Sequence, residues 1–124
     1  MTSLRNVPLS DDKLTDWIFK QLLNCLREKS LVVKRTNKPL PHPESNNISG
    51  LTEYDERWSD VLISINASTS ANEQIATLIH ELCHVLFHKT SERDINKLER
   101  ILWEKITNEQ RDYLRSYLAR RKIK

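Results

Sequence analysis

Ile75-Ala76-Thr77-Leu78-Ile79-His80-Glu81-Leu82-Cys83-His84-Val85-Leu86-Phe87 is the stretch on which the reading of this chain turns. Apolar residues surround much of a helix drawn through it, so the helix is expected to be buried. Inside it stands the pattern H-E-x-x-H, formed by His80, Glu81 and His84. Two histidines four apart share one helix face and can bind one metal ion, while the glutamate between them projects toward a water on that ion. Zinc at such a site lowers the pKa of its water to about 7, so Glu81 can take the proton as nucleophilic attack begins. The chemistry implied is hydrolysis. With four His and ten Glu in 124 residues, chance produces this pattern only about 0.01 times per chain. A glutamate and two histidines in a buried helix are also costly unless they are paired or metal-bound.

Outward from this helix, the spacing of apolar residues predicts the order α, β, β, β, α, α, α. Ser10 is the expected N-cap of a first helix running to about Lys29, with Leu14, Trp17, Ile18, Leu22, Cys25 and Leu26 on its apolar face. Leu31, Val32 and Val33 suit a short strand, and Pro39, Pro41 and Pro43 exclude helix after it. Ile48 to Tyr54 and Asp60 to Asn66 read as a hairpin joined by the turn Asp55-Glu56-Arg57. The motif helix should start near Ser70 to Asn72 and end around Lys89 to Ser91, leaving a link that permits only a helical hairpin. Ile95, Leu98, Ile101 and Leu102 mark the inner face of the next helix. Thr107 with Gln110 forms a capping-box pattern that opens the last. The expected fold class is α+β: an N-terminal helix, a small three-stranded sheet, the motif helix and two C-terminal helices, in a single domain over residues 1–124.

Composition narrows the setting. A chain of this length buries enough surface to hold a core without disulfides, and two cysteines in apolar surroundings make no disulfide framework. A reduced, cytoplasmic protein is expected. No segment has the apolar length of a membrane span or a secretory leader. The net charge of +3 is mild, although Arg111, Arg115, Arg120, Arg121, Lys122 and Lys124 gather near the C-terminal end. Cations favour the end of a last helix, which accounts for this cluster more simply than a nucleic-acid surface. The single glycine, Gly50, leaves no Gly-rich phosphate loop.

Catalytic zinc usually takes three protein ligands, so a third must be found. His88 continues the i, i+4 series, but about 12 Å of helix rise separates it from His80. No glycine follows His84, which excludes the glycine turn that precedes a third histidine in metzincins. Among the acids, Glu92 opens the next helix just after the turn, on the side of Ile95 and Leu98. Glu99 shares that side further on and is the second choice.

The segment Ala76 to His88, followed by Glu92-Arg93-Asp94-Ile95-Asn96-Lys97-Leu98, resembles the ImmA/IrrE family of small zinc metallopeptidases and related phage-borne proteins. There H-E-L-x-H-x-x-x-H is followed by a glutamate opening an E-x-x-A-N-x-F-A type helix, and Glu92, Ile95, Asn96 and Leu98 stand at the matching positions. The interval between His84 and Glu92 is short for the family, and Glu99 stands where a small residue is usual. The resemblance covers about residues 60 to 102 and implies a minimal zincin-like, gluzincin-type domain. It further implies that the strand Asp60 to Asn66 lies beside the cleft and pairs with substrate.

On this basis the expected activity is zinc-dependent limited proteolysis of a protein substrate, such as a repressor. Its expected metal ligands are His80, His84 and Glu92, and its general base is Glu81. Two other readings stay open: a catalytically silent zincin fold that sequesters a partner protein, and a DNA-associated protease similar to the SprT type, which also carries an H-E-L-C-H string. No oxyanion-stabilising residue is fixed among His42, Tyr54, Tyr113 and Tyr117.

Overall fold

In a computed structural model of the chain, the structure describes residues 7–28, 30–38, 40, 49–55, 60–121 and 123. Three strands and four helices follow one another as expected: α1 (Lys13–Arg27), β1 (Leu31–Thr36), β2 (Gly50–Asp55), β3 (Asp60–Asn66), α2 (Ala71–Leu86), α3 (Glu92–Lys105) and α4 (Asn108–Ala119). The proline loop, His42, Ile48, and Glu56 and Arg57 of the expected turn lie outside the described residues.

Helix starts are set by side chains that satisfy otherwise unpaired backbone N–H groups. Ser70 caps α2 through the Glu73 N–H, Ser91 caps α3 through the Asp94 N–H, and Thr107 with Gln110 closes the full capping box on α4. At α1 the cap is Asp12, not Ser10. Asp12 has extended backbone and accepts from the Thr15 N–H at 3.2 Å. Ser10 is instead drawn to Asp16, donating its backbone N–H at 2.8 Å and its hydroxyl at 2.7 Å to Oδ1. A second difference follows along the same helix. Its buried seam is Thr15, Ile18, Phe19, Leu22 and Leu23, an i, i+3, i+4 series that rotates Leu14 and Trp17 onto the flank, where they are 64% and 55% exposed.

The sheet order is β1-β3-β2. β3 runs parallel to β1, with Leu31 opposite Val61 and Thr36 opposite Asn66, and antiparallel to β2, with Gly50 opposite Ile65 and Asp55 opposite Asp60. β3 is therefore the central strand, and its backbone groups are committed on both sides. This overturns the expectation that Asp60–Asn66 pairs with substrate: the strand at the sheet edge nearest the motif is β2, which pairs on one side only among the described residues.

α2 is the hub. It packs against α1, α3, α4, β2 and β3. Ile75, Leu78, Ile79, Leu82 and Cys83 are at most 1% exposed, and they share the core with Phe19, Leu22, Ile63, Ile65, Ile95, Leu102, Leu114 and Leu118. Burying each large aliphatic or aromatic side chain is worth about 1.5–3 kcal/mol. The motif helix is thus held along its apolar face from several sides, which gives a polar site on its remaining face a firm base. Among the described residues no helix is long and apolar enough to cross a membrane.

Candidate metal centre

The polar face of α2 borders a cleft of about 690 Å³, closed on the sheet side by Ser49, Gly50, Leu51, Thr52 and Tyr54 and on the other by Glu92, Asn96 and Glu99 of α3. One helical turn brings His80 and His84 together, with ring centroids 4.8 Å apart and Nε2 atoms 3.1 Å apart. A tetrahedral zinc ion bonded to two imidazole nitrogens holds them about 3.3 Å apart, close to the separation here. His80, Glu81 and His84 each turn a ligand atom into a cluster no more than 4.8 Å across.

Glu92 joins them. The five-residue link from Phe87 to Ser91 folds α3 back on α2, and Glu92 at its first position spans the two rings, Oε1 at 2.8 Å from His80 Nε2 and Oε2 at 2.7 Å from His84 Nε2. Two imidazole nitrogens facing one carboxylate are a donor set suited to zinc. Glu99, the other acid considered from sequence, stands on the opposite nitrogen of His80, its Oε2 3.7 Å from Nδ1. His88 lies beyond the end of α2 and lines the rim of the cleft, outside the cluster.

Glu81 is buried, with Oε2 4.0 Å from His80 Nε2 and Oε1 accepting a 3.0 Å hydrogen bond from the Thr52 hydroxyl. Burial pushes its carboxyl above the usual carboxylate range, and the Thr52 bond and the two histidines hold it back in part. For His80, the Glu99 carboxylate is the main influence and raises its pKa; burial acts in the other direction, and Glu92 and Glu81 add to the rise.

Sequence reasoning did not anticipate Thr52 or the role of Gly50. A Cβ at residue 50 would collide with Thr77 Cγ2 and stand 3.3 Å from Glu81 Cγ. The lone glycine lets β2 approach α2 closely enough for Thr52 to reach Glu81. Its being the only glycine in 124 residues was the available signal. Of the tyrosines considered, Tyr54 lines the cleft, with its hydroxyl 3.5 Å from the His84 carbonyl oxygen. Burial raises its pKa, as does the nearby Glu81 charge. Tyr113 packs edge-on against Phe19, and Tyr117 lies under the Arg121 guanidinium. Cys83 points into the core, and burial pushes its thiol up to about 12, so it is inert.

Part of the C-terminal basic cluster is engaged internally. Arg111 stacks on Trp103, Arg121 stacks on Tyr117 and accepts two bonds from Arg35 at its carbonyl, and Arg115 pairs with Asp112.

The family model described as the IrrE N-terminal-like domain, Peptidase M78, matches residues 44–119, a span that includes β2, β3, α2, α3 and α4. No curated protein and no solved structure matches the chain.

Proposed function

The chain belongs to the IrrE N-terminal-like family of peptidases, and from that premise we propose that it is a zinc metallopeptidase that makes limited cuts in a protein substrate. The observation that carries this reading is the convergence of the Glu92 carboxylate on both His80 Nε2 and His84 Nε2, beside a buried Glu81 held by Thr52. His80, His84 and Glu92 would hold the ion. Bound there, zinc would polarise the scissile carbonyl and acidify the attacking water.

The remaining steps belong to the chain's own residues. Glu81 takes the proton of the attacking water and returns it to the leaving amine. Its raised pKa brings it nearer neutrality, where a general base works best. Thr52 fixes one carboxylate oxygen and leaves the other toward the histidines. Tyr54 is the tyrosine that lines the cleft, which supports giving its hydroxyl the task of donating to the developing oxyanion. Among the described residues β2 is paired on one side only and its residues line the same cleft, so an extended substrate segment can add to the sheet there by backbone hydrogen bonds. No Lys or Arg stands among the described residues that line the cleft.

Elemental analysis of the purified protein, beside Glu81→Gln, His84→Ala and Glu92→Ala, tests the reading. One zinc per chain is expected in the wild type and in Glu81→Gln, with loss in His84→Ala and in Glu92→Ala. Glu81→Gln should lower peptide-bond turnover about 10²–10⁴-fold, the usual worth of a positioned base. A folded wild type that takes up no zinc would remove the peptidase reading. A Glu81→Gln variant that keeps both metal and full biological effect would convert the protein into a partner-binding module.

A further inference from the structure

We propose, resting on the zinc reading above, that Glu99 is a positioning residue that holds His80 by Nδ1 and so commits Nε2 to the metal. The two nitrogens of His80 face different partners. Nε2 points to His84 Nε2 at 3.1 Å and Glu92 Oε1 at 2.8 Å, the side on which the donors converge. Nδ1 points away from that cluster, and the carboxylate on its side is Glu99, with Oε2 at 3.7 Å. That distance exceeds a direct hydrogen bond by a few tenths of an ångström, which a small side-chain rotation closes.

The arrangement follows from α3. Glu92 and Glu99 are seven residues apart, two helical turns, so they project along one stripe of the helix where it lies against α2. One stripe thus serves both edges of the same ring. The two acids also differ in setting: the Glu92 side chain is 62% exposed at the mouth, whereas Glu99 is 26% exposed and more enclosed. A carboxylate against Nδ1–H selects the tautomer whose Nε2 lone pair is free, and it strengthens that nitrogen as a ligand. The same geometry separates the two acids that the sequence left as rival ligands. They approach opposite nitrogens, so Glu92 is placed to share the ion and Glu99 to accept from Nδ1–H.

The test is metal affinity measured by chelator competition with Zn²⁺ in the wild type, Glu99→Gln, Glu99→Ala and Glu92→Ala, together with long-range proton–nitrogen NMR of the His80 ring in the zinc-loaded protein. All Glu99 variants should still bind one zinc. Affinity should fall about 10–100-fold in Glu99→Ala, the range for loss of an outer partner. It should fall less in Glu99→Gln, whose amide oxygen still accepts from Nδ1–H. The wild-type ring should carry its proton on Nδ1, and that proton should exchange faster in Glu99→Ala. Should Glu99→Ala misfold, the isosteric Glu99→Gln carries the comparison. Unchanged affinity and exchange in both variants would overturn the assignment. So would loss of all zinc in Glu99→Ala with retention in Glu92→Ala, which would exchange the two roles. A wild type that binds no zinc would remove the peptidase reading and this inference together, and the wild-type titration alone distinguishes that case.

Discussion

The two faces of α2 are built on different rules. One face carries Ile75, Leu78, Ile79, Leu82 and Cys83 into the core at no more than 1% exposure, and it is held by non-directional apolar contact. The other carries His80, Glu81 and His84 to a cleft, where each polar atom meets a particular partner from another element: Glu92 and Glu99 from α3, Thr52 and Tyr54 from β2. The first face tolerates an exchange of one apolar shape for another of equal volume. The second depends on donors that must arrive within a few tenths of an ångström. The two faces of one helix are thus held by different physics, and substitutions on them are expected to act independently.

Substitutions can break that independence or sharpen it. The largest effect on stability is expected on the core face: Leu82→Ala should cost about 2–5 kcal/mol, as large-to-small changes at fully buried sites do. Denaturant unfolding reads the loss, and zinc affinity of the molecules that remain folded should be unchanged. Gly50→Ala should couple the faces. The added methyl meets Thr77 and Glu81, so overpacking of about 1–3 kcal/mol is expected, with lower turnover as β2 moves off α2. Unfolding and activity measured on one preparation should fall together, and activity lost without stability would show that the glycine serves only the site. Thr52→Val should have the smallest effect on folding of the three, about 1 kcal/mol, the low end for a buried carboxylate left one hydrogen bond short. Its signature is in the pH profile. Thr52 lowers the Glu81 pKa, and the base works only when deprotonated, so removing the hydroxyl should move the acid limb of the rate profile to higher pH. An unmoved limb would separate Thr52 from the base.

How far the chain could be read in advance follows the same division. The order of elements, the Thr107–Gln110 capping box and the burial of the motif helix were legible, because each is encoded by spacing within a few residues. His80, His84 and Glu92 also fall within one local stretch, and the short link to α3 made their meeting foreseeable. What escaped depends on distant parts of the chain. The order β1-β3-β2 is a matter of which strands find each other, and periodicity within Asp60–Asn66 cannot say that this strand ends up central. Thr52 reaches Glu81 from 29 residues away, with nothing in its neighbourhood to announce it. The α1 errors had a nearer cause. Ser10 and Asp12 are both good caps, and the pull of Asp16 on Ser10 decided between them.

The spread of these contacts along the chain also sets an order of assembly. His80, His84 and Glu92 lie on a helical hairpin whose closure joins residues only 8 to 12 positions apart, an event of about 10–100 ns for so short a loop. The Thr52 bond to Glu81 needs β2 in place, and β2 is held by β3, which pairs in parallel with β1 some 30 positions earlier. Such non-local pairing is slow, because chain entropy must be spent before the contacts return anything. In a folding chain the His80, His84 and Glu92 side chains are therefore expected to meet before Thr52 reaches Glu81. On the zinc peptidase reading proposed above, a half-folded molecule would hold its three donors together before Glu81 is fixed.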